Sequence, residues 1–111
     1  MMIYKLFRPA EWSALERDGT TTGAPIDVAD GYVHFSTAAQ VAETARRYFA
    51  DVEGLVLVAV EADPLGEALV WEPSRGGDLF PHLYREMRMT DVAWHKVLPL
   101  GAGGHSFPDL G

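Results

Sequence analysis

Apolar and polar residues alternate weakly from Met2 to Phe7, which predicts a first strand. Pro9 then stands where a helix can begin, and Ala10 to Arg17 predicts a short helix stopped by Asp18-Gly19. Thr20 to Ala29, punctuated by Gly23 and Pro25, shows no period and is expected to be irregular. Asp30-Gly31 predicts a turn, and Tyr32-Val33-His34-Phe35 a short strand. Thr37 followed by Gln40 fits the capping box, in which a hydroxyl and an amide each satisfy a free N–H of the first helical turn. Val41, Ala42, Ala45, Tyr48 and Phe49 then fall on one stripe, so a helix is expected over Ala38 to Phe49.

The second half reads as strands. Leu55 to Val60 is an unbroken β-prone run, which predicts a central strand buried on both faces. Asp63 to Gly66 is a turn, Ala68 to Trp71 a strand ended by Glu72-Pro73, and Ser74 to Asp78 a loop. Phe80 to Tyr84 is apolar but carries Pro81, so an edge segment or an ordered loop is expected. Val92 to Leu98 is the last strand, and the glycines from Gly101 to Gly104 open a loose tail over residues 101–111. Strands outnumber helices, and the connections are mostly too short for repeated parallel crossovers. The fold class is therefore α+β with a largely antiparallel sheet, in one domain over residues 1–111 with its core at about 2–100.

Composition narrows the function classes. The chain has 111 residues and no cysteine, which removes disulfides, thiolate metal sites and cysteine nucleophiles. The N-terminus has no apolar stretch suited to a signal peptide, and no run approaches the ~20 apolar residues of a membrane helix. The expected address is the cytoplasm, with no membrane partner. A formal net charge of −7, with nine Lys and Arg scattered among sixteen acids, argues against nucleic acid as a partner. His34, His82, His95 and His105 are not spaced as a metal motif, so no metal is expected.

Three segments carry candidate chemistry. Strand periodicity places Tyr32, His34 and Ser36 on one face, just before a helix start at Thr37 whose free N–H groups favour anions. This is either a polar pocket or a capped helix beside a hydrogen-bonded structural histidine. Glu72 sits at a strand end, and Arg75 before two glycines can present a guanidinium to a phosphate or carboxylate, or be a solvated surface residue. His82 and Tyr84 lie in a rigid amphipathic cluster, which is a site or a hydrophobic plug with two polar tips.

Taken together, Ile3-Tyr4-Lys5, Glu11-Trp12, Asp30 to Thr37 with Gln40, Tyr48-Phe49, Trp71-Glu72 and Phe80 to Tyr84 resemble the family called domain of unknown function 952. The resemblance runs in matching order from about Ile3 to Leu98. It implies a fold similar to that of ADP-ribosyltransferases, in which two small, mostly antiparallel sheets with flanking helices form a cleft for NAD or a related ADP-ribose compound. By that likeness His34 and Ser36 would bind ribose and amide, and Tyr48 or Tyr84 would stack on nicotinamide. Glu72, or else Glu86, would stabilise the oxocarbenium-like transition state, and Arg75 with Arg8 would meet phosphate. His34 and Glu72 are thus the expected catalytic residues, and Tyr32, Ser36, Thr37, Arg75, His82 and Tyr84 the expected substrate-binding ones. NAD enters as a possible substrate, and no resident cofactor is called for. The alternative is a module that binds a metabolite or peptide in the same cleft without turnover.

Overall fold

The computed structural model describes residues 1–110, and the side chain of Arg75 lies outside what it describes. The central strand is β4 (Val56–Glu61), paired antiparallel on one side with β1 (Met2–Phe7) and on the other with β8 (Val92–Val97). The other strands are β2 (Thr20–Thr21), β3 (Val33–His34), β5 (Leu69–Pro73), β6 (Leu79–Leu83), β7 (Met87–Arg88), β9 (Leu100–Gly101) and β10 (Gly104–His105). The helices are α1 (Pro9–Asp18), α2 (Pro25–Asp30) and α3 (Val41–Tyr48). A second three-stranded sheet has the order β3-β6-β5, and β2-β7 and β9-β10 form two small ribbons. The architecture is α+β with small antiparallel sheets.

β4 organises the core because both of its faces are apolar. Val56, Val58 and Val60 join one buried cluster with Ile3, Phe7, Trp12 and Leu15, which also takes in Val33 and Leu83 from the second sheet. Leu55, Leu57 and Ala59 join another with Tyr4, Leu6, Val41 and Ala45, under α3. Each fully buried Val or Leu contributes about 1.5–3 kcal/mol, so this one strand anchors the layers on both sides, as its unbroken apolar run predicts.

Alternation along β1 follows the same two clusters: Tyr4 and Leu6 face α3, while Ile3 and Phe7 face the second sheet. Lys5 is on the second of these faces by strand periodicity. It is only 8% exposed, a charged side chain in the apolar layer between the sheets. A buried ammonium is costly unless it is paired, so a counter-charge has to come from the facing elements.

Four expectations are corrected. Residues 20–29 are not irregular: they hold β2 and α2, with Pro25 at the first helical turn and Gly31 (φ 85°) ending the helix. The segment from Phe80 is neither an edge nor a loop, because β6 is the middle strand of its sheet. Pro81 is tolerated there because its carbonyl accepts from Phe35 N (3.0 Å) just where β3 has ended, so its missing N–H faces a ladder that has stopped. Residues 101–110 are not loose: β9 and β10 form a ribbon, His105 Nε2 lies 2.7 Å from the Val52 carbonyl, and Phe107 and Leu110 pack on the α3 cluster. The helix expected from Ala38 begins at Val41, although Gln40 Oε1 does accept from Thr37 N at 2.9 Å, as the capping box requires.

If the C-terminal segment packs as described, Phe107→Ala should lower unfolding stability by about 2 kcal/mol, short of the ~3–5 kcal/mol of a fully buried ring. Denaturant unfolding of the two proteins measures it. A change near zero would return residues 106–110 to the status of a tail.

Candidate functional site

The site is built outward from a carboxylate that the sequence reading passed over. Asp27, in the first turn of α2, is 1% exposed and its two oxygens meet four donors. Oδ2 accepts from Lys5 Nζ (3.0 Å) and from the backbone N–H of Ala24 (2.6 Å). Oδ1 accepts from the backbone N–H of His34 (3.0 Å) and lies 2.5 Å from His34 Nδ1. Lys5 Nζ also donates to the His34 carbonyl at 3.1 Å. One carboxylate therefore ties β1, α2 and β3 together and supplies the counter-charge that Lys5 needs.

The local chain is shaped to this end. Gly23 (φ 98°) lies so close to Asp27 that a Cβ there would overlap the carboxylate. The only signals in the sequence were Pro25 at a helix start and an acid two residues on. They were masked because Ile26 and Val28 are 61% and 60% exposed, so α2 has no apolar stripe.

His34 is held from both sides, since its Nε2 lies 3.0 Å from Asp30 Oδ2 at the surface. Both ring nitrogens are thus placed against carboxylate oxygens, which can only accept a hydrogen bond. The register His34↔His82↔Val70 places His34, His82 and Tyr84 on one face of the second sheet, with Glu72 further along β5. Tyr32 covers His82: the rings stack at 4.1 Å, and His82 is 3% exposed. Tyr32 also touches His34 (4.6 Å) and Tyr84 (5.1 Å). Glu72 Oε1 takes the Tyr84 hydroxyl (2.7 Å) and lies 2.8 Å from His82 Nδ1.

These contacts set the ionisation. Burial pushes the Asp27 carboxyl up, but hydrogen bonds from His34 and the charge of Lys5 outweigh it and hold it at about 2. Hydrogen bonds from Tyr84 and then His82 hold Glu72 below the usual carboxylate range. The same bond pushes the Tyr84 phenol up to about 12. Burial, then the charges of Asp30, Glu72 and Asp27, raise Tyr32. At neutral pH the face thus presents ionised Glu72 beside two neutral phenols. A groove of about 310 Å³ opens alongside, lined by Tyr32 and Tyr84 with Asp27, Val28, Arg85 and Glu86.

Of the expected residues, the structure brings together Tyr32, His34, Glu72, His82 and Tyr84, with His82 beneath the surface rather than on it. Ser36 and Thr37 turn to other work: Ser36 Oγ lies 3.2 Å from Thr44 Oγ1, and the Thr37 carbonyl accepts from Val41 N at the start of α3. Arg8 caps α1 and lies 4.7 Å over the Phe49 ring, and Tyr48 is an exposed residue at the end of α3. Glu86 lines the groove. The Arg75 side chain is outside the described residues.

The Asp27 carboxyl is held well below its ordinary value of 3.8, so its stabilising effect is complete above that value and is lost as pH falls toward about 2. Asp27→Asn leaves the Lys5 charge unpaired and should cost about 3 kcal/mol at neutral pH. In urea unfolding the gap between the two proteins should close as pH falls from about 4 to about 2. A gap that stays constant over that range would remove the charge from the explanation.

The fold has solved counterparts. The crystal structure of protein CC0527 from Caulobacter crescentus is 47% identical, covers 95% of this chain and 92% of its own, and superposes with a TM-score of 0.90. Its solution NMR structure gives a TM-score of 0.84 at 47% identity, covering 94% of this chain and 90% of that one. No curated protein matches the chain. Among the described residues no helix is long and apolar enough to cross a membrane. The model of DUF952, described as a protein of unknown function, matches residues 6–95, and the chain belongs to that family.

Proposed function

We propose that the face formed by Tyr32, His34, Glu72 and Tyr84 binds and processes a nucleotide-ribose compound such as NAD or ADP-ribose, in a cleft of the ADP-ribosyltransferase type. The observation that carries this reading is the ionised Glu72 beside stacked rings. Its Oε1 is fixed by His82 and Tyr84, while its Oε2 accepts no hydrogen bond from a described residue. Flat rings suit a heterocyclic base. A fixed carboxylate suits an anomeric carbon that gains positive charge as its bond to the base breaks. In that step the departing base keeps the bonding electron pair, and water adds to the anomeric carbon and gives its proton to solvent. His34, locked by Asp27, orients the ribose.

A second reading, a binding module without turnover, is favoured by one specific feature. Both ring nitrogens of His34 are engaged by carboxylates, so neither is open for proton transfer while Asp27 and Asp30 hold them.

Thermal unfolding with NAD, ADP-ribose, nucleotides and sugar phosphates tests the site. A ligand at one hundred times its dissociation constant adds about 2.7 kcal/mol, on the order of a 10 °C rise for a domain of this size. The rise should survive Glu72→Gln, whereas release of free base should fall at least ~100-fold. Binding with no release in either protein would select the module, and no shift with any compound would end the nucleotide reading.

A further inference from the structure

The groove beside the two tyrosines has a chemistry of its own. Tyr32 stacks on His82, which does not line the groove, and itself lines the groove together with Tyr84. Tyr84 stands against it at 5.1 Å and 41°, and the pair makes a continuous aromatic wall. An aromatic face carries negative partial charge and attracts cations.

The charges around that wall do not cancel. Asp27 is met by Lys5, and Arg85 is committed to Asp91 through two hydrogen bonds of 3.0 Å. That removes the one cation among the described residues lining the groove. Glu86 is exposed and makes no salt bridge among the described residues, although its charge also reaches the neighbouring Arg85 that Asp91 holds. Glu72 stands behind the Tyr84 hydroxyl, and no lysine or arginine among the described residues pairs with it. The groove therefore combines two aromatic rings with one exposed carboxylate, Glu86, that no lysine or arginine among the described residues holds in a salt bridge, while Glu72 lies outside its lining on the far side of Tyr84. A phosphate would meet repulsion from Glu86. A methylated ammonium would meet attraction from the rings and from that carboxylate together.

We infer that the groove between Tyr32, Tyr84 and Glu86 takes the organic-cation portion of a ligand, a methylated or quaternary ammonium, and not a phosphate. This choice of head group rests on the reading of this face as a ligand site and specifies which end of a ligand lies in the groove.

The test compares choline with its neutral isostere 3,3-dimethylbutan-1-ol, titrated into the full chain and followed by amide NMR shifts. Choline should move the amides of Tyr32, Tyr84 and Glu86 saturably and bind at least ~10-fold tighter than the alcohol. Glu86→Gln, an exposed change that leaves the fold intact, should weaken choline about 3–10-fold and leave the alcohol unchanged. Equal affinity for the two compounds, no shift with either, or stronger perturbation of the same amides by inorganic phosphate would overturn the inference. Choline binding in a protein that ignores NAD and ADP-ribose would sink the nucleotide reading alone. Stabilisation by ADP-ribose with no response to choline would sink the cation alone.

Discussion

The Lys5–Asp27–His34 bridge is the constraint on which this molecule turns. A lysine in the layer between two sheets can be kept only with a counter-charge, and α2 exists to deliver one. Once Asp27 is buried, its remaining lone pairs must also be used, and the backbone and ring of His34 use them. The position of β3 relative to β1 is thus set by hydrogen bonds of fixed direction, where apolar packing alone would tolerate sliding. Such polar centres stabilise less than their gross attraction suggests, because both charges lose water. Their value here is registry: a displacement of β3 breaks several bonds to one carboxylate at once.

The site inherits its rigidity from that centre. His34 is oriented by Asp27, Tyr32 packs against His34 and His82, and His82 and Tyr84 fix Glu72. A group that must act on a developing charge needs this kind of support, since small displacements weaken short-range electrostatics steeply. The same chain of contacts leaves the open end of the face acidic and aromatic, which bears on the choice of ligand more directly than the fold does.

Much of the frame was legible in the sequence. The run from Leu55 to Val60 declared a strand buried on both faces, because only such a strand needs apolar residues at every position. Period-two spacing grouped Tyr32 with His34, and the cluster around His82 and Tyr84 was visible as an oddity of composition. What could not be read was α2, whose apolar residues face solvent, and with it Asp27, one acid among many until the fold buries it. Pro81 misled for a local reason: a proline excludes a middle strand only where a neighbour needs its N–H, and β3 stops at His34. Ser36 was grouped with His34 by a period that fails once the chain leaves β3 to bridge Tyr4 on the other sheet.

The most direct measurement is a double-mutant cycle on folding stability with Asp27→Asn, His34→Gln and the pair, by denaturant unfolding at neutral pH. If one carboxylate joins the two elements, the substitutions share an interaction, and the cycle should show a coupling of at least about 1.5 kcal/mol. Additive effects, within about 0.5 kcal/mol, would mean that His34 is placed by packing alone and would contradict the account.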